Sequence, residues 1–264
     1  MAVVAALVSA GTEAGLQEAV EQELHRIQVE TAVRIYYRCE SPDFFPAEWL
    51  NEEISPQAEP LAIEELWELL PVIRRFLTAY PPELLRMNLS AIYLAARLRF
   101  YGKDYGGTCF RSSIYLACPE DAPPEFLLAR LHSEFSSVLF RKHPFPKKRW
   151  CQLLPPRFQY VGSGTIMLGE RNLYAQDSRL LAGGFIVRYA QSSLENDFNM
   201  IADWLFTKRA KLDALCRKYP LLRQKRDLAV SFYRAIGCPL PGDPPATTQM
   251  AEIATSEAES APAL

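Results

Sequence analysis

Apolar residues recur at helical spacing between positions 127 and 138. The stripe is formed by Leu127, Leu131, Phe135 and Val138. These positions lie at i, i+4, i+8 and i+11, so a helix presents them on one face. Pro124 stands near the first turn, where its missing N–H costs nothing, and Pro144 is expected to end the helix soon after His143. The pattern predicts an amphipathic helix that is buried along this stripe.

From Ser90 to Phe100, every second position from 92 to 100 is apolar, and the positions between them hold Ala, Tyr or Arg. This period of two is typical of a strand with one buried and one partly exposed face. The segment 102–107 (GKDYGG) has the composition of a turn, and the segment 108–117 has that of a second strand. We therefore expect these two strands to form a β-hairpin. A further strand is expected at 31–39, which is rich in β-branched and aromatic residues.

Helical spacing of apolar residues also predicts helices over 16–27 and 62–79, and Pro71 is expected to kink or break the second of these. A last helix holds Leu228, Phe232 and Ile236, and it is followed by Gly237, where a helix C-terminus favours glycine.

Another helix is expected to begin at Ser192, because Ser192 and Glu195 have the spacing of a capping box. Its apolar stripe consists of Leu194, Phe198, Ile201 and Leu205. Before it, the stretch 144–181 is rich in proline and irregular, as is typical of a binding or covering loop. Residues 239–264 have the composition of a disordered tail.

Composition excludes some classes of function. The net charge is −2, with 49% hydrophobic and 23% charged residues, so a dedicated nucleic-acid binder is not favoured. No apolar run approaches the roughly 20 residues that a membrane span needs. The start, MAVVAALVSAGTEAG, is short and lacks a positive region, which favours a cytoplasmic protein over a secreted one; export stays open.

The six cysteines are widely spaced, and none forms a CxxC pair. Structural zinc of the finger type is therefore not expected, and we expect six reduced thiols, with disulfides an alternative in an exported protein.

The candidate chemistry centres on Glu134, which follows Leu131 by three residues and precedes Val138 by four, at the edge of the apolar stripe. A helical zinc site of the HExxH type needs two histidines four residues apart. The histidines of this chain are His25, His132 and His143. Because no two of them have that spacing, such a site is excluded.

Several motifs nevertheless resemble the zinc-binding metallopeptidases of the zincin group. The likeness rests on a strand pair with a Gly-Gly turn, the segment LHSEFSSVL, the segment 183–185 (GGF) and the segment 189–198 (YAQSSLENDF). It covers residues from about 81 to 236. The resemblance implies an α+β, zincin-like single domain, with a small sheet packed on the helix that holds Glu134 and a helical C-terminal half.

Carried over residue by residue, the resemblance matches Glu134 to the catalytic glutamate and His132 to the residue before the first zinc ligand. Ser133 and Ser137 stand at the two histidine ligand positions. Asp197 and Phe198 match the second motif, and Met200 stands at the position of the third, acidic ligand. The likeness therefore implies the fold without implying a peptidase.

Three functions remain open at this stage. The first is a binding or interaction module for a protein or peptide, without zinc catalysis or a required cofactor. The second is a metal-dependent hydrolase, with zinc or another divalent cation in an atypical site built from His132, Glu134 and Asp197. The third is a binder of acidic partners through a basic loop over 141–149, which holds Arg141, Lys147, Lys148 and Arg149.

The acidic residues also have simpler interpretations. Glu134 is expected to be a helix-surface acid or to pair with Arg130. Glu195 and Asp197, the candidate metal ligands, lie at a helix start, where the dipole stabilises negative charge. If Asp197 instead faces Glu134, the carboxylates would hold a hard cation or share a proton.

We expect residues 1–60 to form an N-terminal extension of one helix and one strand, followed by the zincin-like domain over 61–238.

Overall fold

The computed structural model describes residues 13–240. Its strands form two β-sheets. The first sheet contains β1 (Arg34–Tyr36), β3 (Ala91–Ala95), β6 (Gly107–Phe110) and β7 (Ser113–Ala117) in the order β1-β3-β7-β6. In it, β1, β3 and β7 are parallel, and β6 runs antiparallel at one edge. The second sheet is antiparallel and contains β2 (Gln57–Glu59), β4 (Arg97–Phe100) and β5 (Lys103–Tyr105).

The hairpin expected between 90–100 and 108–117 is wrong. The alternating segment divides at Ala96, whose N–H donates to the Glu59 carbonyl, so β3 and β4 belong to different sheets. β3 pairs with β7 in parallel, and the hairpins are β4–β5 and β6–β7. Tyr101 and Gly102, with φ of 54° and 70°, form the two-residue turn between β4 and β5. Alternation alone does not reveal where a chain changes sheets.

Helices pack against the first sheet, on β1, β6 and β7. The helices of the described residues are α1 (Glu13–Thr31), α2 (Ile63–Thr78), α3 (Pro82–Asn88), α4 (Pro124–Lys142), α5 (Lys147–Cys151), α6 (Gly164–Met167), α7 (Ser178–Ala182), α8 (Leu194–Thr207), α9 (Arg209–Lys218) and α10 (Pro220–Ala235). The irregular stretch 144–181 thus contains three short helices. Of the helices in residues 13–240, none is long and apolar enough to cross a membrane.

The helix α4 begins at Pro124, as the sequence predicts, and its whole predicted apolar stripe is buried. It packs against α2, α8, β6 and β7, at the centre of the molecule. The helix α2 runs without a break through Pro71, so only the predicted boundaries of that helix are confirmed. Gly237, with φ of 75°, follows α10 in the left-handed conformation expected there.

The cap of α8 differs by one residue from the prediction. Ser193 is the N-cap, and its hydroxyl accepts a hydrogen bond from the Asn196 N–H at 3.1 Å. Ser192 instead donates to the Tyr189 carbonyl at 2.7 Å. Glu195 does not close a capping box, and its carboxylate is therefore available to a partner across the fold.

The N-terminal segment completes both sheets. β1 pairs with β3, and β2 pairs with β4. Val20 and Ile27 of α1 are buried in the main hydrophobic core. Residues 13–59 are therefore integral to the same packed unit as the segment after 61. Residues 1–12 and 241–264 lie outside the described residues, so most of the expected tail is not among them, while Leu240 is buried.

Candidate functional site

A polar cavity of about 370 Å³ lies between α4, α8, β6 and the loop around 162–165. From the two helices it is lined by Ser133, Glu134, Ser137, Glu195, Asn196 and Asn199. The spacing of these residues explains their grouping, because positions three and four apart share one face of a helix. The cavity therefore lies where the resemblance to zincins places an active site.

Glu134 is half-buried, and among residues 13–240 no hydrogen bond or ion pair engages its carboxylate. Burial raises the pKa of this carboxyl to about 7; the positive charges of Arg130 and Arg141 oppose the shift, and Glu195 reinforces it. A Cβ atom on Gly107 would lie 3.1 Å from Glu134 Oε1, so the close approach of β6 to the carboxylate favours glycine.

The expected pairing of Glu134 with Arg130 is wrong. The Arg130 guanidinium donates to the Tyr174 hydroxyl at 2.5 Å, and it lies over the rings of Phe126 and Tyr174. These contacts hold Arg130 at the side of the cavity. Glu134 consequently remains without a direct countercharge.

Asn199 lines the same cavity as Glu134, from the opposite helix, and was missed by the sequence interpretation. Its side-chain Nδ2 donates to Ser137 Oγ at 2.7 Å, which joins α8 to α4. Only 3% of Asn199 is exposed, yet its Oδ1 is buried without a hydrogen-bond partner. An orphaned buried acceptor is costly, so this atom marks a position where a ligand donor would be stabilised.

Glu195 forms an ion pair with Arg141 at the cavity rim. The guanidinium contacts the two carboxylate oxygens at 2.7 and 3.2 Å. Glu195 and Asp197, the candidate metal ligands from the sequence, thus have different ion-pair partners, Arg141 and Lys225.

Asp197 lies outside the cavity, fully buried on another face of α8. Its Oδ2 accepts hydrogen bonds from Trp150 Nε1 at 2.9 Å and Tyr160 Oη at 2.7 Å, and it forms an ion pair with Lys225 at 2.7 Å. Burial raises the pKa of the Asp197 carboxyl and lowers that of Lys225, and their attraction opposes both shifts. Asp197 therefore does not face Glu134.

His132 does not join the site either. It is 2% exposed, its Nδ1 lies 2.7 Å from Tyr80 Oη, and its ring stacks on Phe206 at 4.5 Å. Burial, with the nearby charge of Arg75, lowers the pKa of His132 to about 3, so the ring is neutral. Residues two apart on a helix point about 200° apart, which is why His132 and Glu134 separate.

Met200, which the resemblance matches to the third zinc ligand, does not line the polar cavity. Met200 lines a neighbouring cavity of about 420 Å³ together with Asp203 and Trp204, and Ser133 borders both cavities. Asn199, one residue earlier, is the residue that contacts Ser137.

Zinc does not fit the residues of the polar cavity. Zinc sites use thiolate, imidazole and carboxylate ligands, usually four in a tetrahedron. The cavity offers the unpaired Glu134 carboxylate, the Glu195 carboxylate that is paired with Arg141, four serine hydroxyls and two asparagine amides. It also contains the buried Cys109, whose thiol pKa is raised to about 12 by burial. Within residues 13–240, no three His, Cys, Asp or Glu side chains are grouped so as to hold a metal ion.

The basic run 141–149 is not a single loop. Arg141 and Lys142 end α4, while Lys147, Lys148 and Arg149 belong to α5. Arg141 engages Glu195, and Lys142 bonds to the Met87 and Asn88 carbonyls and to Ser112. The exposed cations that remain are Lys147, which lies over the Phe140 ring, Lys148 and Arg149. The run therefore presents fewer charges together than the sequence suggests.

The six cysteines are free thiols, as expected for a reduced protein. Cys151 is exposed, Cys39 is half-buried and the other four are buried.

Comparison with solved structures finds a protein from Bacteroides caccae ATCC 43185 that is described as a "putative zinc-binding metallo-peptidase". The match covers 85% of this chain and 87% of that one, with a TM-score of 0.55 and 12% identity. The chain therefore has an α+β, zincin-like fold that is similar to the fold of that protein. No protein-family model and no curated protein matches the sequence.

Gly107, Tyr189 and Asn199 are site residues that the sequence interpretation did not single out as functional. One signal for Asn199 is present: Glu195, Asn196 and Asn199 are polar residues at helical spacing on α8. Gly107 carries no comparable signal, because its role depends on the approach of β6 to Glu134.

Proposed function

We propose that this chain is a zincin-fold binding module that holds an extended peptide segment of a protein partner and does not carry out zinc-dependent hydrolysis. The observation that carries the proposal is the polar cavity. It is lined by Ser133 and Ser137, which the resemblance matches to the two histidine ligands, and the Asn199 amide donates to Ser137. Unpaired acceptors remain there beside a sheet edge. Such convergent polar groups in a concave site are typical of ligand binding.

The strand β6 supplies the edge on which a peptide would pair. Its pairing with β7 leaves its other side without a strand among the described residues. The Ala117 N–H donates to the Gly106 carbonyl at 3.1 Å, and bonded and non-bonded pairs alternate along an antiparallel ladder. By this alternation, the backbone groups of Gly107 and Cys109 point away from β7, on the strand that borders the cavity. An added strand would use these groups.

The metal-dependent hydrolase is not favoured by the geometry. It requires His132, Glu134 and Asp197 in one site. His132 instead lies against Tyr80, Glu134 lines the cavity, and Asp197 forms an ion pair with Lys225. Binding of acidic partners by Lys148 and Arg149 stays a prediction, because the exposure of these two side chains is the only observation that favours it.

Amide exchange tests the peptide site. The probe is a library of blocked pentapeptides, Ac-Z-Z-X-Z-Z-NH2, with X fixed and Z randomised, screened on the full chain in EDTA. On binding the best member, exchange of the Gly107 and Cys109 amides is expected to slow at least about tenfold, because they gain partners. The Thr108 and Phe110 amides, which already pair with β7, should change little.

Binding that leaves Gly107 and Cys109 unprotected would overturn the β6 pairing. If no library member binds at about 1 mM, a free energy weaker than about −4 kcal/mol, the binding-module proposal fails. Release of cleaved products when ZnCl2 replaces the EDTA would contradict the absence of zinc-dependent hydrolysis.

A further inference from the structure

We infer that the centre of the polar cavity receives a basic side chain, lysine or arginine, from the bound peptide. This inference rests on the proposed function and names the class of partner segment that the site selects. The observation that carries it is that the unpaired Glu134 carboxylate and the orphaned Asn199 Oδ1 belong to residues that line one cavity, with Ser137 of α4 accepting from the Asn199 amide.

The vacant groups are acceptors. Glu134 Oε1 and Oε2 accept hydrogen bonds, and so does Asn199 Oδ1. The Asn199 amide donates through Nδ2 to Ser137 Oγ, and Oδ1 is the atom left without a partner. A ligand group with several N–H donors satisfies such a set, and ammonium and guanidinium groups carry three and five N–H donors.

The charges of the cavity favour the same occupant. Arg141 is paired with Glu195, and Arg130 is held by Tyr174 and two aromatic rings. Glu134 is therefore the charged side chain of the cavity that lacks a direct partner. A ligand cation in contact with the Glu134 carboxylate compensates for the hydration that this carboxylate loses on burial, whereas a ligand carboxylate would be repelled by it.

The surroundings of Glu134 are mixed in charge. From α4, Arg130 and Arg141 face it; from α8, Glu195 does; and Cys109 of β6 and Tyr189 lie close enough for their pKa values to respond to it. The positive charges of Arg130 and Arg141 weaken the attraction of Glu134 for a ligand cation, but neither arginine forms an ion pair with Glu134. Selection should therefore be moderate, of the size of one charged hydrogen-bonded contact.

The experiment compares pentapeptides of the same library with different fixed residues. At X it uses lysine, arginine, Nε-acetyl-lysine, norleucine and glutamate, and dissociation constants are measured at pH 8 in EDTA. Lysine or arginine is expected to bind about tenfold to a hundredfold tighter than norleucine and acetyl-lysine, with glutamate weakest. Acetyl-lysine keeps the length and removes the charge.

Variants separate the two acceptors from the strand edge. In Glu134→Gln, the advantage of lysine over norleucine should fall to about twofold. Asn199→Ala should reduce the advantage partly. The control Glu83→Gln, an exposed acid of α3 outside the cavity, should leave it unchanged. Thermal melts of each variant establish that it is folded.

The outcomes distinguish the two proposals. Equal binding of lysine and norleucine peptides, with Gly107 and Cys109 protected, overturns the basic-residue inference and leaves the peptide site standing. A lysine preference that survives in Glu134→Gln overturns the assignment to this cavity. Binding of none of the five peptide sets overturns both proposals.

Discussion

Replacement of Lys225 by methionine is expected to destabilise the protein by about 3–5 kcal/mol. Lys225 and Asp197 are both fully buried and lie 2.7 Å apart, and Lys225 also donates to the Gly184 carbonyl at 3.0 Å. Removal of one partner leaves an uncompensated charge in the core. The measurement is the free energy of unfolding at pH 7 from urea denaturation. At acid pH the loss should shrink, because Asp197 without Lys225 takes up a proton more readily.

Two further variants make this prediction specific. Lys218→Met removes an exposed lysine of the adjacent helix α9 and should change stability by no more than about 0.5 kcal/mol. The double variant Asp197→Asn, Lys225→Met should recover part of the loss, because a neutral amide still accepts from Trp150 and Tyr160. A loss below about 1 kcal/mol in Lys225→Met would contradict a structural role for the ion pair.

The variant Glu134→Gln is expected to be more stable than the parent at pH 8, by up to about 3 kcal/mol. The pKa of Glu134 rises on folding from an ordinary 4.5 to about 7. Below about pH 4 both states hold the proton, and the acid carries no penalty. As pH rises toward 7 the unfolded state ionises first, so stability falls, and above 7 the penalty is complete. Glutamine does not ionise, so its advantage appears over this window.

Urea denaturation of both proteins at pH 4, 6 and 8 provides the test. The matched control is Glu125→Gln on the same helix, whose side chain is 60% exposed, and its difference from the parent should not grow comparably with pH. A Glu134→Gln protein that is less stable than the parent at pH 8 would show that Glu134 has a partner in the free protein. The expected result would show that ionised Glu134 destabilises the folded state, as is common for acids at binding sites.

The apolar pattern predicted the central helix well because burial alone determines it. In α4, all four stripe residues are buried, and the helix begins at Pro124. The strands were harder to predict. Parallel pairing of β3 with β7 joins residues 22 positions apart, such as Ala91 and Ser113, and no local signal specifies it. The change of sheet at Ala96 depends on the Glu59 carbonyl, which belongs to a segment that seemed separable from sequence.

The site was predicted only in part. Glu134 lines the cavity together with Ser133 and Ser137, the residues that the resemblance matches to the histidine ligands. Asp197 and His132 were misplaced because a motif alignment carries no information about helix faces. Each residue turns about 100° around a helix axis, so Asp197 leaves the face shared by Glu195 and Asn199. The orphaned acceptor of Asn199 depends on contacts across two helices and is visible only in the fold.

Zinc titration of the metal-free chain tests the central claim most directly, namely that the zincin-like cavity binds ligands without zinc. Isothermal titration calorimetry with ZnCl2 should detect no stoichiometric site with a dissociation constant below about 10 µM, a free energy of about −7 kcal/mol, and Glu134→Gln should behave in the same way. One zinc ion bound per chain at submicromolar affinity, and lost in Glu134→Gln, would contradict the claim.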